Sequence, residues 1–410
     1  MTGTWLAGLY GLAAINLLVA FYALYGAIRY WRFASRAGGE TTLSAYRPSV
    51  ALLVPCCGAE PGLAENLRAL TCQRYPRLTI VFVLEDASDA AFSIVREIVS
   101  GLRTPSRVVL AGPARSSGQK VHNLGAAVRE TPEAEVLAFA DSDIRPDEGW
   151  LARLVGPLER TGVGVATGYR FYLPERGSFA SLLRSAWNAG VLTLLGDHDH
   201  NFAWGGSMAL RRETFFRAGV PEAWQGALSD DYALTHAVRR AGLRVEFVPS
   251  CLVASEGPVG LAEVLRWCGW QMAITRVYWP NLWRIAGASQ VAFVAFLLVA
   301  LVMALRGHVP AAVLLAVVLS LGAVTSDIRR RAIEQLAPRF EARLRSYRRL
   351  YPLLVPLAGL LTVYGFARSA LSRRIVWRGK AYHMISPNET VLEQTATEKA
   401  PGFTGPDEVR

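Results

Sequence analysis

Two aspartates, Asp141 and Asp143, directly follow an apolar stretch and are separated by a single residue. The stretch, residues 136–140, has the composition of a buried strand, so paired negative charge at its end requires an explanation. Two carboxylates at this spacing can face one hard divalent cation, and Mg²⁺ is often held by one or two carboxylates together with substrate phosphates. The alternative is an ordinary surface turn, in which aspartate is common. On these residues alone both interpretations stay open.

A second acidic pair, Asp230 and Asp231, lies in the stretch ALSDDYAL at residues 227–234, where a helix is predicted to begin. Ser229 and both aspartates favour a helix N-terminus, by capping and by interaction with the helix dipole. A carboxylate here could also act as a general base that takes a proton from an acceptor hydroxyl. The residues themselves do not decide between these roles.

The block from residue 41 to residue 260 predicts a scaffold that brings such acids together. Strand-like apolar runs occupy residues 49–56, 78–86, 107–112 and 136–140, and helical runs occupy 62–75, 91–102 and 120–130. This alternation indicates an α/β fold with a mixed, mostly parallel sheet flanked by helices. Ligands bind beyond the carboxyl ends of such strands, where Asp86 ends the second run. No G-x-G-x-x-G follows the first run, which disfavours a Rossmann dinucleotide site.

Apolar segments at both ends of the chain predict a multi-pass membrane protein. Residues 1–35 are expected to form an N-terminal anchor, since residues 5–27 carry no charge and arginines follow them; a secretory signal peptide would carry its basic residues first. Residues 285–326 hold two charge-free runs joined by RGH, which predicts a transmembrane hairpin. Because basic residues concentrate on the cytoplasmic side, the block 41–260 is expected in the cytoplasm, with the protein in the inner membrane.

The remaining segments have their own expected roles. Residues 261–284 are rich in Trp and predict a segment at the membrane interface. Residues 327–385 form a basic cytoplasmic segment whose apolar stretch, 351–367, is broken by prolines and favours a re-entrant or interfacial segment over a span. Residues 386–410 are expected to be a disordered tail. The net charge is +11, and much of the arginine excess behind it borders the membrane segments. Anionic lipid, and not nucleic acid, is therefore the expected partner.

The motifs taken in order resemble those of a family 2 glycosyltransferase of the GT-A fold. They are LED at 84–86, FADSD at 139–143, WGGSMALRRETF at 204–215, LSDDYAL at 228–234 and EVLRWCGWQ at 263–271. With the flanking membrane segments, the chain most closely resembles the bacterial ceramide glucosyltransferase-like branch, which includes hopanoid-associated glycosyltransferases. The resemblance extends over about residues 1–385.

This resemblance implies roles on the donor side. Asp86 would contact the nucleobase or ribose, with Lys120 and Asn123 also on the nucleotide side. Asp141 and Asp143 would hold a divalent cation, Mg²⁺ or Mn²⁺, and the diphosphate of the nucleotide-sugar. Asp231 would be the catalytic base. For Lys120, a solvated surface lysine is the alternative.

On the acceptor side, the resemblance implicates Trp204, Gly206, Asp230, Arg266, Trp267 and Gln271. The family pattern Gln/Arg-x-x-Arg-Trp stands here as EVLRW, with Glu263 at its first position; Gln271, one helical turn after Trp267, could supply the amide instead. The alternatives are a core role for Trp204, a tight turn at Gly206 and an interfacial role for Trp267.

The implied activity is inverting transfer of a sugar, with a hexose expected, from a nucleotide-sugar to a lipid acceptor such as ceramide or a hopanoid. A UDP-sugar is the expected donor. A processive polysaccharide synthase shares the acidic and Arg-Trp motifs, but few spans are available here for a polymer channel. A non-catalytic nucleotide-sugar-binding membrane protein is the third possibility, which the complete set of acids disfavours.

Overall fold

The computed structural model describes residues 3–37 and 44–393. Its strands are β1 (Val50–Pro55), β2 (Leu78–Leu84), β3 (Ser106–Leu110), β4 (Val136–Ala140), β5 (Val163–Tyr172), β6 (Ser207–Arg211), β7 (Arg244–Ser255), β8 (Arg374–Trp377), β9 (Lys380–Ser386) and β10 (Glu389–Glu393). Its α-helices are α1 (Gly3–Ala37), α2 (Leu63–Thr71), α3 (Ala91–Ser100), α4 (Gln119–Arg129), α5 (Trp150–Val155), α6 (Phe179–Leu192), α7 (Arg212–Arg217), α8 (Val220–Trp224), α9 (Asp230–Arg240), α10 (Leu261–Tyr278), α11 (Pro280–Leu305), α12 (Val309–Leu336), α13 (Glu341–Ser346) and α14 (Val355–Leu371).

The first seven strands form one sheet in the order β3-β2-β1-β4-β6-β5-β7. Strands β1 to β4 pair in parallel, and β6 runs antiparallel to both of its neighbours, β4 and β5. The predicted mixed, mostly parallel sheet is therefore confirmed. The carboxyl ends of β1, β2 and β4 meet at one edge, so the acids that follow these strands share that edge.

Apolar layers cover both faces of this sheet, because alternate residues of a strand point to opposite faces. On one face, Leu53 and Phe139 pack with α4 and α9. On the other face, Leu52 and Ala138 pack with α2, α3 and α5. Strands buried on both sides read as continuous apolar runs, which explains why the sequence revealed them.

Strands β8, β9 and β10 form a second sheet at the C-terminal end of the described chain. Tyr382 and Met384 of β9 belong to the same buried cluster as α4 and α9. The prediction of disorder from residue 386 is therefore wrong for residues 386–393, and residues 394–410 lie outside the described residues. The core also extends beyond the predicted block 41–260, because it includes this sheet.

Four helical segments of the described chain are long and apolar enough to cross a membrane, by length and composition. They are Leu6–Ala37, Pro280–Leu305, Val309–Leu336 and Tyr351–Leu371. Leu9 and Ala13 of α1 pack with Phe296 of α11 and Val318 of α12, which joins the N-terminal helix to the C-terminal hairpin.

The fourth segment packs against the first half of α11. The indole of Trp283, near the start of α11, donates a hydrogen bond to Ser369 at 2.9 Å. A Cβ on Gly359 would lie 2.7 Å from the ring of Phe293, which is halfway along α11. The chain then leaves α14 directly into β8, which packs against the soluble block. This arrangement supports the re-entrant interpretation of residues 351–367, which stays a prediction.

The docking of the C-terminal sheet predicts different effects for two similar glycine substitutions. Gly226 and Gly242 both have left-handed φ values, 72° and 74°. A Cβ on Gly226 would lie 1.9 Å from the carbonyl oxygen of Asn388, whereas one on Gly242 meets no atom within 4 Å. Both Gly→Ala changes should lose about 1–2 kcal/mol of unfolding free energy through backbone strain. Gly226→Ala should lose about 1–3 kcal/mol more through the clash.

Denaturant unfolding of both variants and the wild type in the same detergent measures this difference. Equal destabilisation of the two variants would contradict the close contact between Gly226 and the β9–β10 turn.

Candidate active site

Four chain segments meet at the carboxyl edge of the sheet and form one wall of a large cavity. They are the end of β4 with Asp141, the start of α4 with Lys120, the start of α9 with Asp231, and the turn before β6 with Trp204. The cavity has a volume of about 1990 Å³ and extends from these residues to the helices of the membrane region. The two acidic pairs that the sequence singled out thus lie in one site.

Lys120 joins the two acidic pairs. Its Nζ lies 2.7 Å from Asp141 Oδ1 and 3.2 Å from Asp230 Oδ1. The lysine and Asp230 are largely buried, so the interpretation of Lys120 as a solvated surface residue is wrong. Buried charges of opposite sign must be paired, because an unpaired charge in a protein interior is costly.

Burial and neighbouring charges shift the pKa values of these three groups differently. Burial by itself would lower the pKa of Lys120, but Asp141, Asp230 and Asp231 outweigh this effect and raise it. Burial would raise the pKa of Asp141, yet Lys120 and Arg170 together lower it. At Asp230, burial prevails over Lys120, and with the nearby carboxylates it raises the pKa to about 6. One lysine does not compensate all of the nearby carboxylates, and Asp230, the more distant of its two partners, is left with the raised pKa.

Arg170 of β5 is a second cation at the site, and the sequence analysis missed it. Its guanidinium donates to Asp143 at 2.9 and 3.1 Å and to Asp141 at 3.0 Å, so it bridges the two aspartates. It also lies over the ring of Trp204, 4.6 Å from the centroid. A signal was present, since Arg170 is the single charged residue in the otherwise apolar and small-residue strand VGVATGYRFY.

Asp231 lies at the start of α9, but the residue that caps this helix is Ser229. Asp231 Oδ1 accepts hydrogen bonds from the Ser229 hydroxyl and, at 2.8 Å, from the amide of Tyr232. Its Oδ2 accepts from the amide of Gly205 at 3.2 Å. These donors fix the carboxylate in the cavity wall, where it faces the space shared with Asp141 and Asp143.

The glycines before β6 permit close approach of the backbone to the charged cluster. A Cβ on Gly205 would lie 2.2 Å from Asp230 Oδ2 and 2.9 Å from Lys120 Nζ. A Cβ on Gly206 would lie 2.1 Å from the ring of Trp204, which also lines the cavity. Any larger residue at either position would displace a side chain of the site.

The residues predicted on the nucleotide side have different positions. Asn123 is buried in the cavity wall, and its Oδ1 accepts a hydrogen bond from the side-chain amide of Gln119 at 2.8 Å. Asp86 is exposed and does not line the cavity; its Oδ1 accepts from the amide of Ser88 at 2.7 Å. A contact between Asp86 and the nucleotide stays a prediction.

The residues of the Arg-Trp motif lie on α10. Trp267 packs against Tyr172 and Trp187, with ring centroids 5.4 and 4.9 Å apart. The cavity is also lined by Glu263, Arg266, Trp267 and Gln271. The structure therefore brings the motif to the site, while the choice between Glu263 and Gln271 as the substitute for the usual first residue stays a prediction.

Fold and site together define the class of protein. The architecture is that of a GT-A glycosyltransferase. It combines a mostly parallel sheet, an Asp-x-Asp pair and a second acidic pair at the carboxyl edge of that sheet, and apolar helices at both ends of the chain. The model of the family described as glycosyl transferase family 21 matches residues 11–390, and the chain belongs to this family. The sequence resemblance was to family 2, so the family number differs, whereas the predicted class and fold are confirmed.

Individual relatives are distant. Glycosyltransferase AglE of Haloferax volcanii is 23% identical over 253 residues, which are 58% of this chain and 81% of that protein. The mannosyltransferase PcManGT from Pyrobaculum calidifontis, solved with GDP-Man and Mn²⁺, is 20% identical with a TM-score of 0.49, covering 85% of this chain and 99% of that one. The glucosyl-3-phosphoglycerate synthase of Mycobacterium tuberculosis, solved with Mn²⁺ and UDP-glucose, is 18% identical with a TM-score of 0.36, covering 56% of this chain and 78% of that one.

The raised pKa of Asp230 predicts a specific pH dependence of stability. Burial moves this pKa from 3.8 to about 6, so between these values the folded protein holds a proton that the unfolded chain has released. The contribution of Asp230 to the unfolding free energy should therefore fall as the pH rises through this window, by on the order of 1–3 kcal/mol. Asp230→Asn should lack this part of the slope.

Denaturant unfolding of both proteins in detergent across this pH window measures the two slopes. Parallel curves would contradict the assignment of the proton to Asp230.

Proposed function

We propose that this protein is a membrane-bound inverting glycosyltransferase that moves a sugar, a hexose, from a nucleotide-sugar to the hydroxyl of a lipid. The observation that carries the proposal is the position of Asp231. Its carboxylate lies in the same cavity as the Asp141 and Asp143 pair, and this cavity continues to the membrane helices. Membership of family 21 supports the transfer chemistry.

The reaction is a single displacement. Asp231 takes the proton of the acceptor hydroxyl, and the oxygen forms a bond to the anomeric carbon of the sugar. The bond between that carbon and the diphosphate oxygen breaks, and the diphosphate leaves with the electron pair. Attack from the side opposite the leaving group inverts the anomeric configuration. General-base assistance of this type contributes about 10²-fold to 10⁴-fold to a rate.

The donor set at the carboxyl edge of the sheet fits a divalent cation, Mg²⁺ or Mn²⁺. Among the described residues no group of three or more His, Cys, Asp and Glu side chains is close enough to hold a metal unaided. Asp141 and Asp143 supply the one or two carboxylates that Mg²⁺ takes when substrate phosphates complete its coordination. The cation would neutralise charge on the leaving diphosphate. Arg170, which bridges these aspartates, holds the pair together.

The shape of the cavity supports a lipid acceptor such as ceramide or a hopanoid. From the acidic residues it runs along the membrane helices. Its lining there includes Ala23 of α1, Phe293 of α11, Val318 of α12 and Phe366 of α14. A lipid whose hydroxyl reaches Asp231 can therefore keep its chains among the apolar helices. A soluble acceptor would leave this apolar lining without a partner.

The proposed orientation places the catalytic domain in the cytoplasm, where nucleotide-sugars are made, with α1, α11 and α12 crossing the inner membrane. The arginines that follow the apolar part of α1 and those near the end of α12 lie on the side of the catalytic domain. This distribution agrees with the positive-inside bias. Within this arrangement α14 is a re-entrant segment.

The metal role predicts that Asp143→Asn abolishes transfer. The amide removes a charged ligand of the cation, so donor binding should weaken and turnover should fall by at least about 10²-fold. Excess chelator should inhibit the wild type and Mn²⁺ should restore it. The matched control is Asp147→Asn, because Asp147 is an acid near the same loop whose carboxylate pairs with Arg153 instead of lining the cavity. Full activity in excess chelator would refute the metal role.

The roles of Asp231 and Ser229 can be separated by two substitutions. Asp231→Asn should reduce turnover by about 10²-fold to 10⁴-fold, because an amide does not accept the proton, while the melting temperature stays close to the wild-type value. Ser229→Ala removes the helix cap and should cost about 1 kcal/mol of stability. It also removes one donor to Asp231, but the amides of Tyr232 and Gly205 still hold the carboxylate, so turnover should fall much less than in Asp231→Asn.

Initial rates at saturating donor, thermal melts, and mass spectrometry of lipid extracts from cells that express each variant are the measurements. The new glycolipid in wild-type extracts identifies the acceptor and should be missing with Asp231→Asn. Equal rates for Asp231→Asn and the wild type would leave the mechanism without its base.

A further inference from the structure

The turn between β8 and β9 forms part of the wall of the active-site cavity. Trp377 pairs with Lys380 across this turn, so Arg378 and Gly379 form a two-residue loop. Trp377, Arg378, Lys380 and Tyr382 all line the cavity that contains Lys120 and Asp141. These residues come from a segment that follows the last membrane helix, and none of the motifs considered above assigns them a role.

Arg378 occupies an unfavourable backbone position. Its φ is 51°, which makes it the one non-glycine residue with positive φ in the part of the chain that the structure describes. Gly379 follows with a φ of 73°. Two-residue hairpin loops with two positive φ values strongly prefer Asn, Asp or Gly, because other side chains are strained there. Strain of this kind concentrates at functional sites, so the arginine calls for an explanation beyond the turn.

The contacts of the turn place it on the donor side. Arg378 pairs with Glu60, in the loop after β1, at 2.5 Å. Lys380 pairs with Glu85, at the end of β2, at 2.5 Å, and also donates to Gln119 at 3.2 Å. The backbone N–H of Gln119, the residue before Lys120, donates a hydrogen bond to the hydroxyl of Tyr382 at 3.3 Å. The ends of β1 and β2 and the start of α4 are where the proposed nucleotide lies.

Two other cations at this edge are already engaged. Lys120 is shared by Asp141 and Asp230, and Arg170 bridges Asp141 and Asp143. Arg378, in contrast, pairs with a half-exposed glutamate, so its ion pair is the weakest of the three. A nucleoside diphosphate brings two or more negative charges into a site that already contains several carboxylates. Arg378 can exchange Glu60 for a phosphate at little cost.

We propose that the β8–β9 turn completes the donor site and that Arg378 binds the diphosphate of the nucleotide-sugar. This inference rests on the proposed function, since it concerns the same donor. Arg378 is a binding residue, and Lys380 and Tyr382 position the turn against α4. The C-terminal sheet is then part of the active site.

The backbone strain at Arg378 makes a sharp test possible. Arg378→Gly relieves the strain, so the melting temperature of the full-length protein in detergent should stay equal or rise. The same change removes a charge-assisted contact, so binding of UDP or GDP with Mn²⁺ should weaken about 10-fold to 100-fold. Binding of uridine or guanosine, which lack phosphate, should be unchanged. Titration calorimetry measures each affinity.

Glu60→Gln is the matched control. If Arg378 serves only its ion pair with Glu60, both variants should behave alike. If Arg378 binds phosphate, Glu60→Gln should bind the nucleoside diphosphates as tightly as the wild type or more tightly. Wild-type affinity in Arg378→Gly would overturn the inference while leaving the proposed function intact. Absence of diphosphate binding by the wild type itself would overturn both.

Discussion

Lys120 donates to Asp141 at 2.7 Å and to Asp230 at 3.2 Å, and the geometry of the whole active-site edge depends on this shared cation. The three residues belong to α4, the end of β4 and the start of α9, which are distant in sequence. Removing one member of a buried ion pair leaves an uncompensated charge, at a cost of about 3–5 kcal/mol. Lys120 pairs with Asp141 of the proposed metal site and with Asp230, the neighbour of the proposed base Asp231. The lysine therefore fixes the position of the metal site relative to the base.

The sheet and the second cation complete this arrangement. Apolar strands buried on both faces give a rigid platform, so the residues that follow them are held in place by packing and not by loop contacts alone. Arg170 pairs with both Asp141 and Asp143, and Lys120 pairs with Asp141 as well. A divalent cation would compete with Arg170 for the same oxygen atoms. Binding of metal and diphosphate would thus exchange ionic partners within a site in which carboxylates outnumber the cations that pair with them.

The parts of this structure that were predictable from sequence have local signals. Strands β1, β2 and β4 are nearly continuous apolar runs, and acidic residues stand directly after β2 and β4. Arg170 was missed because its role depends on which strand lies beside β4, which no local pattern reveals. The sheet β8–β10 was missed because its strands are short and each begins on a charged residue, whereas its stability comes from Tyr382 and Met384 packing into a core built by residues far earlier in the chain. Tertiary packing overrides local composition at such positions.

The membrane region and the donor edge are connected through the same C-terminal segment. Helix α14 lies beside the first half of α11, and close contacts at Gly359 and Gly365 let it pack tightly against Phe293 of α11 and Cys268 of α10. A full span would carry the following residues to the opposite side of the bilayer. The end of α14 lies beside the start of α11, where Trp283 donates to Ser369, and from there β8 and β9 extend to α4. The position at which α14 ends thus lets Tyr382 reach the start of α4, the helix that carries Lys120.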